Sequence, residues 1–139
     1  MRRCVLILIV ALFGWASPAA AQPVDPVTAL VVRAEQVLGP GNDADAIRAL
    51  FAPTADAGQV DAFVADAPRA TTTRAVVRER DRQDLQGGLT RVIVDTLIET
   101  AAVARVSTWR LDIAGAPDET RVIQSAERLS VVDGLARLA

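Results

Sequence analysis

Along the first half of the chain apolar residues recur at the three-and-four spacing of a helix, and along the second half they alternate as in a strand. Asp25-Pro26 reads as an N-cap followed by a proline at the first helical position, and Val27, Leu30, Val31, Ala34, Val37 and Leu38 then fall on one helical face. This predicts a helix from Pro26 to Leu38, stopped by Gly39-Pro40-Gly41. Asn42 or Asp43 caps a second helix that carries Ile47, Leu50 and Phe51 in one stripe and ends at Pro53. A third, shorter helix presents Val60, Phe63 and Val64 on one side and stops before Pro68.

Beyond Pro68 the period changes to two. Thr71 to Arg82 reads as a strand rich in β-branched residues and then in alternating charge, and Gln83 to Gly88 as a loop. Leu89 to Glu99 has apolar residues on both faces, which predicts a central strand covered on both sides. After a turn at Thr100 to Ala102, a strand over Val103 to Ile113, a loop over Ala114 to Thr120 and a last strand over Arg121 to Leu129 complete the pattern. Helices first and a meander of long strands afterwards define an α+β class, with the N-terminal helices packed on one face of a curved antiparallel sheet of about four strands. Twisted around those helices, such a sheet makes a cone with an inner cavity. The apolar pattern still runs through Val131, Leu135 and Leu138, so the chain reads as a leading module before a further domain; the alternative is a short terminal helix or strand docked on the sheet.

The first residues follow another logic. Met1-Arg2-Arg3 is cationic, Val5 to Phe13 is an unbroken apolar run, and Ala19-Ala20-Ala21 places small residues just before Gln22. Together they read as a secretory signal over residues 1–21, leaving one domain over 22–139 that is exported to the periplasm or the medium. The apolar run is shorter than the ~20 residues a spanning helix needs, so no integral membrane span is expected after cleavage. Cys4, the only cysteine, precedes the apolar run and leaves with the signal, so no disulfide holds the domain together.

Composition narrows the chemistry. The chain has no His and no Tyr, and all 15 of its basic residues are arginines. Nucleophiles activated by His, Schiff bases on Lys and metal sites built on His or Cys are therefore excluded from the mature part, and neither a catalytic residue nor a metal or cofactor is expected. Without Arg2 and Arg3, 13 arginines face 17 acidic side chains, a net charge of −4 that repels phosphate backbones and makes nucleic acid an unsuitable partner.

Few residues remain for a site. Gly41-Asn42-Asp43-Ala44-Asp45 spaces oxygens as a calcium loop does, but without the sixth-position glycine and late glutamate of such a loop it reads as helix capping. Arg78-Glu79-Arg80-Asp81-Arg82 sets arginines on one face of a strand, either to bind an anion or to pair with neighbouring acids and keep an edge from aggregating. Asp95, Arg105 and Glu127 interrupt apolar strand patterns and are the charges expected to face inward, as ligand contacts or as buried ion pairs. Trp109 shares a face with Val103, Leu111 and Ile113, and Arg105 and Ser107 make one end of that face polar; Trp109 is a core residue or a pocket wall.

Thr73 to Arg82, Ser107-Thr108-Trp109-Arg110-Leu111-Asp112 and Glu127-Arg128-Leu129-Ser130 resemble the leading module that follows the signal peptide in some secreted bacterial metallopeptidases of the alanyl aminopeptidase (gluzincin) family. The layout is also similar to the cone-shaped ketosteroid-isomerase-like, or SnoaL-like, fold. The first resemblance implies a C-terminal peptidase domain, or another protein domain, as partner. The peptidase zinc motif and the His or Tyr that cone-fold enzymes use are both missing from these residues. Three readings follow: an exported non-catalytic accessory or ligand-binding module with Asp95, Arg105, Trp109 and Glu127 as its contacts, a pocketless interaction domain, and a small cone-fold enzyme working with Asp or Glu alone. Expressed in a Gram-negative host, the protein is expected to carry Gln22 as its first residue by mass spectrometry; an intact Met1 in the membrane fraction would contradict the export reading.

Overall fold

A computed structural model of the protein describes residues 25–68, 71–115 and 120–135. Three helices, α1 (Pro26–Leu38), α2 (Ala44–Arg48) and α3 (Ala57–Ala65), precede four strands, β1 (Thr72–Asp84), β2 (Thr90–Thr100), β3 (Val103–Ala114) and β4 (Val122–Leu135). The strands form one open antiparallel sheet in the order β1-β2-β3-β4, and the helices pack on one of its faces. The fold is α+β.

Each helix starts on an aspartate. Asp25 accepts hydrogen bonds from the backbone and side chain of Thr28, Asp43 from Asp45 N–H and Asp56 from Gln59 N–H, each satisfying an orphan donor of a first turn. Within the Gly41 to Asp45 segment the Asp43 carboxylate is thus occupied in capping, the Asp45 carboxylate faces Arg48 at 3.7 Å, and Asn42 Nδ2 donates to Leu38 O, the last residue of α1. Helix α2 is shorter than its stripe predicts. Its backbone turns out of helix at Ala49, because Leu50 O and Ala52 N–H pair instead with the N–H and C=O of Ile123, both at 2.8 Å, making Phe51 a one-residue parallel neighbour of β4. Tertiary pairing outcompetes local periodicity there.

The two central strands alternate cleanly. Val92, Val94, Thr96 and Ile98 of β2, and Ser107, Trp109, Leu111 and Ile113 of β3, are buried against the helices, with Val77 of β1 and Ile123 and Ala126 of β4. The intervening residues form the outer face, where Ile93 and Leu97 are only half-buried; β2 is covered on one side, not two, because every helix lies on the same face. The β1–β2 turn relies on Gly87 and Gly88, whose φ of 77° and 76° suits glycine. Strand β4 runs on past Leu129 to Leu135 in register with β3, with Val131 and Val132 exposed; Leu138 lies outside the described residues.

An aromatic chain links the layers. Phe51 meets Phe63 edge-to-face at 5.4 Å and Phe63 meets Trp109 likewise at 5.0 Å, so α3 rests on β3 while the segment after α2 rests on α3 and pairs with β4. With Trp109 1% exposed, Trp109→Ala is expected to destabilise the fold by about 3 to 5 kcal/mol in chemical denaturation. A loss below about 1 kcal/mol would show that the ring is not part of the core.

Candidate functional site

Helix α3 ends on a carboxylate. Asp66 is its C-cap, and a negative charge there opposes the partial negative charge of the helix C-terminus, so its position must be justified by partners elsewhere. The sheet supplies them. Ser107 Oγ donates to Asp66 Oδ1 at 2.9 Å, while Thr96 Oγ1 and the Trp109 indole N–H approach Oδ2 at 3.3 and 3.4 Å. Two guanidiniums stand further off: Arg105 and Arg128 each bring one nitrogen to 3.9 and 3.8 Å of Oδ1, beyond hydrogen-bond length but close enough to compensate the charge. The carboxylate itself is 4% exposed.

The strand register explains the convergence. Thr96 pairs with Ser107, Trp109 with Arg128 and Arg105 with Asp133, so all their side chains point to the helix face at one end of the sheet. Arg105 is held by Asp133 through Nε at 2.7 Å, and this bond keeps the Asp133 carboxyl below its ordinary range. Arg128 lies over the Trp109 ring at 6.0 Å. Two acids and two arginines make the group electrically balanced.

Beside this group opens a cleft of about 220 Å³, lined by Asp66, Pro68, Ile98, Thr100, Val103 and Arg105. Its walls are apolar and its polar end is the carboxylate with its guanidinium neighbour. Of the four residues that the strand patterns single out, Arg105 lines the cleft and Trp109 stands buried behind it with its indole N–H toward Asp66. Asp95 and Glu127 lie elsewhere: the alternation of β2 and β4 turns them to the outer face, where Asp95 accepts from Thr108 at 2.7 Å and pairs with Arg80 at 3.4 Å, and Glu127 pairs with Arg110. In the charge run of β1, Arg80 is the partner of Asp95 and Arg82 pairs with Glu79 and with Asp25 at the start of α1, which lowers the Asp25 carboxyl.

The residues that pattern reading passes over are Asp66, Thr96 and Arg128. Their signals are faint: an acid at the wrong end of a helix, and a threonine standing in the buried phase of an otherwise apolar strand. Among the described residues no group of three or more Cys, Asp or Glu is arranged to hold a metal ion, and no helix is long and apolar enough to cross a membrane. The fold and site define an α+β domain with a small, mostly apolar cleft floored by a buried carboxylate. The chain matches no family model, no curated protein and no solved structure.

Proposed function

We propose that the domain is an exported, non-catalytic module that binds a small neutral molecule in the Asp66 cleft. The observation that carries this reading is the cleft itself, where apolar walls of Ile98, Val103 and Pro68 end on a carboxylate and a guanidinium that are already charge-balanced. A charged head group would upset that balance in a partly buried setting, whereas an amide or alcohol both donates and accepts, matching Asp66 and Arg105 at once. Ser107 Oγ donates to the Asp66 carboxylate, whose oxygens also face Thr96, the Trp109 indole and two guanidiniums, so in this reading the hydroxyl and the acid serve as a fixed part of the cleft floor. Three helices ahead of a four-stranded meander also suit a SnoaL-like arrangement and a leading-module role in a secreted gluzincin peptidase.

Trp109 is the only tryptophan after residue 21, and its indole N–H faces Asp66, so its emission reports on the site. Titration with primary alkyl amides of increasing chain length is expected to shift Trp109 emission saturably, with matched carboxylates and amines weaker. Val103→Asp, at a partly exposed wall position, is expected to abolish the shift while leaving the far-ultraviolet spectrum unchanged. An emission that responds to none of these compounds, or that responds equally in the Val103→Asp protein, would contradict binding in the cleft.

A further inference from the structure

Because the sheet is open, β1 and β4 are both edges, and the two are finished differently. Along β1, Val77 N–H donates to Glu35 of α1 at 2.9 Å, Arg82 is tied to Asp25, and a register shift between Glu79 and Asp81 bends the strand. These devices keep an edge from pairing with another chain. The first half of β4 is covered by the chain itself, through the Leu50 and Ala52 bonds to Ile123 and through Ala126 N–H, which donates to Gln59 Oε1 at 3.0 Å. From Arg128 to Gly134 no such bond reaches the outward edge among the described residues.

This uncovered stretch is also apolar on both faces. Leu129, Val131 and Val132 are 48%, 43% and 67% exposed, and Val106, the cross-strand neighbour of Val132, is exposed beside it. An edge that is long, β-branched and uncharged at its centre is a template for a further strand.

We propose that the Arg128 to Gly134 edge is a self-association surface, on which a second copy lays its own β4 antiparallel so that one sheet runs through both chains. The stretch is its own complement. With a two-fold axis at Val131, that residue meets the partner's Val131, and Ser130 meets the partner's Val132. Asp133 comes opposite the partner's Leu129, the extra residue of the bulge between the Thr108–Ser130 and Trp109–Arg128 pairs, and so lies beside the partner's Arg128. Among the described residues the Arg128 guanidinium makes no hydrogen bond within its own chain; it approaches Asp66 at 3.8 Å and lies over the Trp109 ring, leaving N–H donors available to that acid. A different protein strand would need to supply by coincidence the opposite charge and the matching apolar centre that a second copy supplies by symmetry.

The contact is one strand wide, at the small end of interface sizes, so sedimentation velocity of the exported protein from about 5 to 500 µM covers the relevant range. The expected result is a concentration-dependent dimer that Val131→Lys shifts to monomer, whereas Val106→Lys, on the outer face of the next strand, leaves it dimeric. Hydrogen exchange on the unmodified protein is expected to show amides of Ser130 to Asp133 protected at high concentration and losing that protection on dilution, a readout independent of how the lysine variants fold. A wild-type monomer throughout the range, a Val131→Lys protein that still dimerises, or a dimer lost only in Val106→Lys would overturn the proposal.

Discussion

A carboxylate almost wholly withdrawn from water has to be met by donors, and meeting Asp66 organises one whole end of this molecule. Helix α3 delivers the charge at its C-terminus, where the helix itself disfavours it. Strands β2 and β3 answer with a threonine, a serine and an indole at positions that would otherwise hold aliphatic side chains, and β3 and β4 add two arginines. The helix is thereby fixed on the sheet at a single orientation by five groups from three strands. An isolated apolar contact between α3 and β3, such as Phe63 on Trp109, gives adhesion without that directional constraint.

The cleft follows from the same constraint. Where hydrophobic side chains fill the helix face, from Val92 and Val94 to Ile113, the layers close. Around Asp66 the arginines keep their heads toward solvent, and the space between Ile98, Val103 and Pro68 is left open. Arg105 serves both sides of this arrangement, bonded to Asp133 at the rim while its other nitrogen faces the buried acid. The open end of β4 lies beside it, so the part of the sheet least covered by helices is also the part richest in polar partners and in exposed valines.

Much of the architecture was legible in the amino-acid sequence because its signals are local. The Asp25-Pro26 start, the Gly39-Pro40-Gly41 stop and the alternation of β2 and β3 each depend on neighbours a few residues apart, and the structure follows them closely. The shortening of α2 was not legible, since it depends on Ile123, over seventy residues away, claiming the backbone of Leu50 and Ala52. Likewise Arg105, Ser107 and Trp109 announced a polar end on one strand face, but which acid would meet them depended on the packing of α3. Asp95 and Glu127 looked equivalent to Arg105 as interruptions of apolar patterns; their parity in the strands, reset in β4 by the bulge at Gln124, sends them to the opposite face.

Asp66 and its sheet donors act as one unit. A double-mutant cycle in chemical denaturation, with Asp66→Ala, Ser107→Ala and the combined variant, measures that directly. Removing the acid alone leaves Ser107 and the two guanidiniums without their common partner, and removing the hydroxyl alone leaves a buried carboxylate oxygen short of its best donor, so each single change is expected to cost about 1 to 3 kcal/mol. Because each loss already includes the same broken contact, the account predicts that the double variant loses less than the sum of the two, by at least about 1 kcal/mol. Losses that add to within about 0.5 kcal/mol would contradict it, and would mean that α3 is held on the sheet by its apolar contacts alone.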